Sequence, residues 1–190
     1  LPMLPVQLLF LNLLYDISCM SIPWDNMDHE YLEKPKKWGA LSIQNFIYWF
    51  GPTSSIFDIL TFGALFFLII PQALGSNFSG LTPELQETFI AVFHSGWFIV
   101  SLWTQTLVLH TLRTPKVPFL QSRASFIMTT ITTLGIVFGT LIPFTSFGEA
   151  LDFAPVPANF WFLLVLVVIA YLVLTTIVKN MYVKKYGELL

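Results

Sequence analysis

The chain has 190 residues, of which 55% are hydrophobic and only 11% charged, and its formal net charge is −2 at pH 7. Soluble domains carry about 25% charged residues, so this composition excludes an ordinary soluble protein and indicates an integral membrane protein. The few basic residues do not resemble a nucleic-acid-binding surface, and a single cysteine, Cys19, excludes a disulfide framework.

Five apolar segments are each close to the roughly 20 residues that a helix needs to cross the hydrocarbon of a bilayer. Helices satisfy their own backbone hydrogen bonds in lipid and isolated strands do not, so the predicted fold is an all-α membrane bundle. We interpret the whole chain, 1–190, as one membrane domain. In chain order the predicted spans are 6–22, 46–70, 88–110, 124–143 and 159–178. The start has neither an initiator Met nor a signal-peptide pattern, so we expect a part of a longer protein.

The first span contains polar side chains inside an apolar run, "LLFLNLLYDISCM". Asp16 lies about 16 Å along the helix from Pro5, which is near the bilayer centre. Asn12 is four residues earlier and shares its face, and Tyr15 borders that face. A charge at this depth costs roughly 2.5–3.5 kcal/mol and is a functional candidate. Carboxylate and amide oxygens suit Mg²⁺ or Ca²⁺; the structural alternative is a hydrogen bond between helices.

Further polar residues lie in the second and third spans, and a cation site needs them because one carboxylate cannot complete it. Asp58 is a candidate second ligand or proton acceptor, although pairing with Thr and Ser hydroxyls is the favoured interpretation. Ser101 and Gln105 share a face of the third span, and Gln105 offers a carbonyl oxygen. The sequence contains no phosphate-binding loop, Ser-His-Asp set or zinc motif, so we expect no catalytic residue in this chain.

The basic residues predict the orientation of the spans. They occur only in the first linker, the third linker and the tail, as Lys34, Lys36, Lys37, Arg113, Lys116, Arg123, Lys179, Lys184 and Lys185. The positive-inside rule therefore predicts an outer N-terminus and a cytoplasmic C-terminus. The first linker, 23–40, changes from acidic to basic, which favours a docking surface for a cytoplasmic domain over a merely solvated loop.

The segment "VQLLFLNLLYDISCMSI", followed by "MDHEYLEKPKK", resembles the sixth membrane helix and following loop of P-type ATPases of types II and III. The residues that carry the match are Asn12 to Asp16 and Lys34–Pro35–Lys36. By this resemblance the five spans are helices six to ten of such a pump. The segments "GPTSSIFDILTF", "TQTLVLHTLRT" and "PFLQSRA" look most like the bacterial magnesium-transporting members of the family.

The resemblance implies an ATP-driven translocase that imports Mg²⁺ across the bacterial inner membrane. ATP, bound with Mg²⁺, would phosphorylate an Asp in a "DKTGT" motif of other domains, to which the 23–40 loop would couple this chain. The implied partners are those domains, the remaining helices and the lipid bilayer, with no nucleic acid. The implied metal ligands are Asp16 and Asn12, with Tyr15, Gln105, Ser101 and Asp58 as weaker candidates.

One departure from the family pattern concerns the residues around the acid. Calcium and sodium pumps have Thr before the Asp and Gly after it, whereas this chain has Tyr15 and Ile17. The resulting site carries little charge, which suits Mg²⁺ because that ion keeps several of its waters. A Ca²⁺ or H⁺ pump, a non-enzymatic secondary transporter or channel, and a structural membrane anchor remain the alternatives.

Overall fold

The computed structural model describes residues 3–26, 40–116, 118 and 121–187. Across these residues the only β-type pairing is an isolated bridge between Pro118 and Ser122. Five of the described helices are long and apolar enough to cross a membrane, which confirms the predicted all-α membrane bundle. They are α1 (Pro5–Cys19), α2 (Ala40–Ala64), α3 (Pro83–Leu112), α4 (Phe126–Leu141) and α5 (Ala158–Tyr186).

The helices begin and end where the sequence provides suitable residues. α1 and α3 have proline at their first position, where its missing N–H costs no helical bond. α4 is capped by Ser125, whose hydroxyl accepts the backbone N–H of Met128 at 3.1 Å. α5 ends at Gly187, which adopts a left-handed φ of 83°.

Two helices continue well past the apolar segments from which they were predicted. α2 is followed without a break by a π-helix, Leu65–Ile69, and a further α-helical turn, Ile70–Leu74. α5 extends to Tyr186 and therefore includes Lys179, which the sequence pattern put in the tail. Hydropathy marks only the apolar part of a helix, and Lys and Tyr at its end do not interrupt it.

α3 is the central helix of the bundle and packs against each of the other four. Its side chains Phe93, Phe98, Ile99 and Leu102 are completely buried. Gly96 allows the π-helix of α2 to approach, because a Cβ at this position would lie 2.9 Å from Leu65 Cδ2. The hydrophobic core is therefore organised around α3.

α1 and α4 pack closely through two glycines of α4, Gly135 and Gly139, in the segment "GIVFG". A Cβ at Gly139 would lie 3.0 Å from Leu14 Cδ1 of α1 and would overlap Leu102 of α3. A Cβ at Gly135 would lie 3.3 Å from Ser18 Oγ. Small residues four apart are a common way for membrane helices to approach each other, so this motif fixes the position of α1 on the bundle.

We expect Gly139→Leu to destabilise the full-length protein by about 2 kcal/mol, because overpacking a filled contact costs roughly 1–3 kcal/mol. The measurement is the midpoint of thermal unfolding in detergent. Val137→Leu is the matched control, since Val137 is on the same helix and 49% exposed. Equal midpoints for the two variants would show that α1 and α4 are not held at this contact.

The alternating direction of the helices brings the ends of α1, α3 and α5 together with the starts of α2 and α4. We call this the basic end, because the described basic residues lie there: Arg113, Lys116, Arg123, Lys179, Lys184 and Lys185. The opposite end carries the acids Glu84, Glu87, Glu149 and Asp152. Lys34, Lys36 and Lys37 lie outside the described residues.

Candidate functional site

α1 has one face inside the bundle and one face outside it. Leu11, Leu14 and Ser18 are buried against the neighbouring helices, whereas Asn12 and Asp16 are exposed. Asn12 and Asp16 are four residues apart in a continuous helix and therefore share a face. Within the described part of the chain, no other helix covers this pair. Their amide and carboxylate oxygens are thus available to a ligand or to a further helix.

Tyr15 lies at the border between these two faces of α1. It is half-buried, and it lies near Cys19 on its own helix and near Tyr171 of α5. Tyr171 is 6% exposed and makes an edge-to-face contact with Phe57 of α2, with ring centroids 5.4 Å apart. Tyr15 therefore packs partly into the bundle beside the exposed pair.

Ser101 and Gln105 lie on α3, in the interior of the bundle. Ser101 is 6% exposed and Gln105 is half-buried. The side-chain oxygen Oε1 of Gln105 is buried and accepts no hydrogen bond from the described residues. A buried acceptor without a donor is unfavourable by about 1–3 kcal/mol, so this oxygen would gain from a further donor or a bound cation.

Asp58 lies on an exposed face of α2, near the phenol of Tyr171. The neighbouring Ser54 and Ser55 are also exposed, and the hydroxyl of Ser55 donates to the carbonyl of Gly51 at 3.3 Å. Like Asp16, this acid is thus on a helix face that the described residues leave open.

The described residues contain no cluster of the usual acidic, histidine or cysteine metal ligands. Among the described residues, no group of three or more His, Cys, Asp and Glu side chains is placed to hold a metal ion. The structure brings Asn12 and Asp16 together on α1, and it places Tyr15 of α1 and Asp58 of α2 near the same residue of α5, Tyr171. A cation site that uses Asp16 would therefore combine it with amide, hydroxyl or water oxygens rather than with a cluster of acids and histidines from the described residues.

Gln7, which the sequence analysis did not identify, holds the N-terminal end of α1 in place. Its amide is completely buried, and Nε2 donates to the carbonyl of Leu151 at 2.8 Å. Its Oε1 accepts the backbone N–H of Leu4 at 2.9 Å. The bond to Leu151 joins the first turn of α1 to the segment between α4 and α5. A polar residue in the first turn of an apolar helix was the available signal.

Lys179 is a second residue whose contacts the sequence analysis did not identify. It is completely buried, and its ammonium donates to three carbonyl oxygens in the last turn of α3 and just after it: Thr111 at 3.0 Å, Thr114 at 3.1 Å and Lys116 at 2.6 Å. An ammonium has three N–H groups, so each one is used. The negative end of the α3 dipole favours this position for a cation. Lys179 thus joins α5 to the end of α3.

The predicted docking loop, 23–40, is described only at its two ends, and residues 27–39 lie outside the described residues. After α1 the chain forms a short 3₁₀-helix, Ile22–Trp24, with Trp24 59% exposed. The next residue, Asp25, forms an ion pair with Arg113. The start of the loop is therefore attached to the end of α3.

Comparison with known proteins relates nearly the whole chain to cation-transporting ATPases. A family model described as "Cation transporting ATPase, C-terminus" matches residues 1–181. A "Magnesium-transporting ATPase, P-type 1" of Salmonella typhimurium strain LT2 is 43% identical over 188 residues, which are 99% of this chain. A protein of the same name from Escherichia coli strain K12 is 41% identical over 187 residues, 98% of this chain.

The chain spans 19% of the length of each of these two relatives. The family match covers nearly all 190 residues, and the five helices suit a membrane region. The resemblance expected from the sequence is thereby confirmed. The chain belongs to the cation-transporting ATPase C-terminus family and is homologous to the C-terminal membrane region of magnesium-transporting P-type ATPases.

Proposed function

We propose that this chain is the membrane-embedded C-terminal part of an ATP-driven pump that imports Mg²⁺ into the cytoplasm. The observation that carries the proposal is the exposed Asn12 and Asp16 pair on α1, in a chain 43% identical to a magnesium-transporting ATPase. Asp16 would bind or gate the ion, with Asn12 as the second oxygen ligand.

The chemistry of the pair favours Mg²⁺ over an ion that must be stripped of its water. Mg²⁺ keeps several waters and is usually bound through one or two carboxylates. Asp16 supplies one carboxylate and Asn12 a neutral oxygen, while Tyr15 adds bulk and no charge at ordinary pH. Gln105 is a further candidate ligand because its Oε1 is buried without a donor from the described residues. Ser101 and Asp58 are weaker candidates.

ATP hydrolysis in this proposal belongs to the rest of the pump. The chain would contribute helices six to ten, packed against the earlier membrane helices and the lipid bilayer. The 23–40 loop would contact the phosphorylation domain and transmit its movement to α1. The basic end would face the cytoplasm of a bacterial cell, since lysine and arginine are retained on that side, and α1 would begin at the outer surface.

The test is Mg²⁺ uptake by the full-length gene product in a bacterial strain that lacks its own Mg²⁺ uptake systems. We expect growth at low external Mg²⁺ and uptake that stops when cellular ATP is depleted while the membrane potential is kept. Uptake that continues without ATP would identify a secondary transporter or channel instead. ATPase activity of the purified protein, stimulated by Ca²⁺ or changed only by pH, would identify a Ca²⁺ or H⁺ pump.

A further inference from the structure

Asp25 joins the end of α1 to two other elements at the basic end. One carboxylate oxygen, Oδ2, accepts a hydrogen bond from Arg113 Nε. The other, Oδ1, accepts the backbone N–H of Ser125, the cap residue of α4, at 2.8 Å. The side chain of Asp25 is 2% exposed and that of Arg113 is 8% exposed. This ion pair is therefore shielded from water.

Arg113 uses its guanidinium to hold several chain segments at once. In addition to Asp25, it donates to Ser122 Oγ at 2.9 Å, to the carbonyl of Asn26 at 2.8 Å and to the carbonyl of Arg123 at 3.1 Å. A guanidinium has five N–H donors in a fixed plane, which lysine cannot reproduce. The residue directly after α3 thus binds both the two residues that follow the 3₁₀-helix after α1 and the segment before α4.

These contacts affect Asn12 and Asp16 because they help to attach α1 to the rest of the bundle. Gln7 fixes the first turn of α1, and the two glycines of α4 receive its buried face. Successive residues of a helix are about 100° apart around its axis. A shift of either end of α1 that rotates the helix by part of this angle therefore changes the direction in which the face with Asn12 and Asp16 points. Asp25 follows the end of α1 nearer to Asp16, and its ion pair holds that end against α3 and α4.

We propose that Arg113, acting through Asp25, is a positioning residue for Asp16. The inference rests on the proposed function, in which Asp16 binds the transported Mg²⁺. Arg113 does not itself bind the ion: it lies in a separate cluster beyond the end of α3, and each of its described bonds goes to the chain. Its role is to keep α1 turned so that the face shared by Asp16 and Asn12 stays directed away from the bundle.

The test uses Arg113→Lys and Asp25→Asn in the full-length pump, with Mg²⁺ uptake measured against external Mg²⁺. We expect the half-saturating Mg²⁺ concentration to rise about tenfold, because residues that orient a metal ligand typically affect metal affinity by about 10- to 100-fold. The maximal rate per pump molecule in the membrane is expected to change less than about twofold. A merely structural contact would lower pump abundance and leave the half-saturating concentration unchanged, and that outcome would overturn the inference.

Two further variants make the result specific. Arg123→Lys is the matched control, because the Arg123 side chain is exposed on the same segment, and it should leave the half-saturating concentration unchanged. The double variant Asp25→Asn/Arg113→Lys should have a smaller effect than the sum of the two single variants, since both disrupt the same Asp25–Arg113 contact. Additive effects would contradict a shared role.

If both single variants fail to reach the membrane, Asp25→Glu decides the question, since it keeps the charge and lengthens the side chain that joins α1 to Arg113. An unchanged half-saturating concentration for that variant would overturn the inference. Failure of the proposed function looks different, because the wild-type protein would then not take up Mg²⁺. Mg²⁺ uptake that responds to Asp16→Asn and not to the Arg113 or Asp25 variants would reject the positioning role alone.

Discussion

Asp16→Asn in the full-length pump is expected to raise the half-saturating external Mg²⁺ concentration for uptake on the order of 10- to 100-fold. The substitution keeps the shape of the side chain and one oxygen, but it removes the negative charge. Mg²⁺ sites use few protein ligands and depend on their carboxylates, so loss of this charge should mainly weaken binding. The measurement is uptake against external Mg²⁺ in cells, where cytoplasmic Mg²⁺ and ATP stay constant.

The same change at a distant acid tests whether the effect belongs to Asp16. Glu84→Gln is the matched control, because Glu84 is exposed in the first turn of α3, and it should leave the half-saturating concentration unchanged. Asp16→Glu should recover part of the affinity, since it returns the charge at a shifted position. Retained uptake with unchanged Mg²⁺ affinity in Asp16→Asn would remove Asp16 from the site.

Asp58→Asn extends this comparison to the second acid within a membrane helix. Both acids are exposed on their helices, but Asp58 has serine hydroxyls beside it, whereas Asp16 has an amide on the same face. If the two asparagine variants weaken Mg²⁺ uptake equally, Asp58 is a ligand. If only Asp16→Asn does so, Asp58 has the structural role that the sequence favoured.

The helices could be predicted from the sequence because lipid leaves the backbone almost no alternative to a helix. The sequence also predicts that Asn12 and Asp16 share a face of α1, but not that this face points away from the bundle. Asn12 and Asp16 are four residues apart, and the structure exposes them together while Leu11 and Leu14 are buried. The ends of the helices were harder to predict from the sequence. The apolar segment of α5 stops at its first charged residue, Lys179, whereas the helix continues to Tyr186.

Contacts between residues far apart in the chain could not be predicted in this way. Arg113 and Asp25 are separated by 88 positions, and charge counting treats Arg113 as a solvated residue that marks the cytoplasmic side. Whether such a charge is solvated or buried depends on how the ends of the helices meet, which a single sequence does not encode locally. The same limit applies to the candidate cation ligands outside α1, because the role of each candidate on α2 or α3 depends on which residues of other helices lie next to it.

Lys179→Met is expected to lower the stability of the full-length protein by about 3 kcal/mol. Methionine is similar in length, but it leaves the carbonyls of Thr111, Thr114 and Lys116 without the donor that now binds them. Each charge-assisted bond contributes about 1.5–3 kcal/mol and buried acceptors without partners are costly, but the desolvation cost of the buried ammonium offsets part of this gain. The measurement is thermal unfolding in detergent, together with the amount of protein in the membrane.

Lys184→Met is the control for Lys179→Met, because Lys184 is on the same helix and exposed, so its removal should leave the unfolding midpoint nearly unchanged. Lys179→Arg should also be destabilising, although it keeps the charge, since a planar guanidinium cannot direct one N–H to each of three carbonyls as an ammonium does. If Lys179→Arg were as stable as the wild type, charge at the end of the α3 dipole would suffice. The three-carbonyl geometry would then not be what holds α5 to α3.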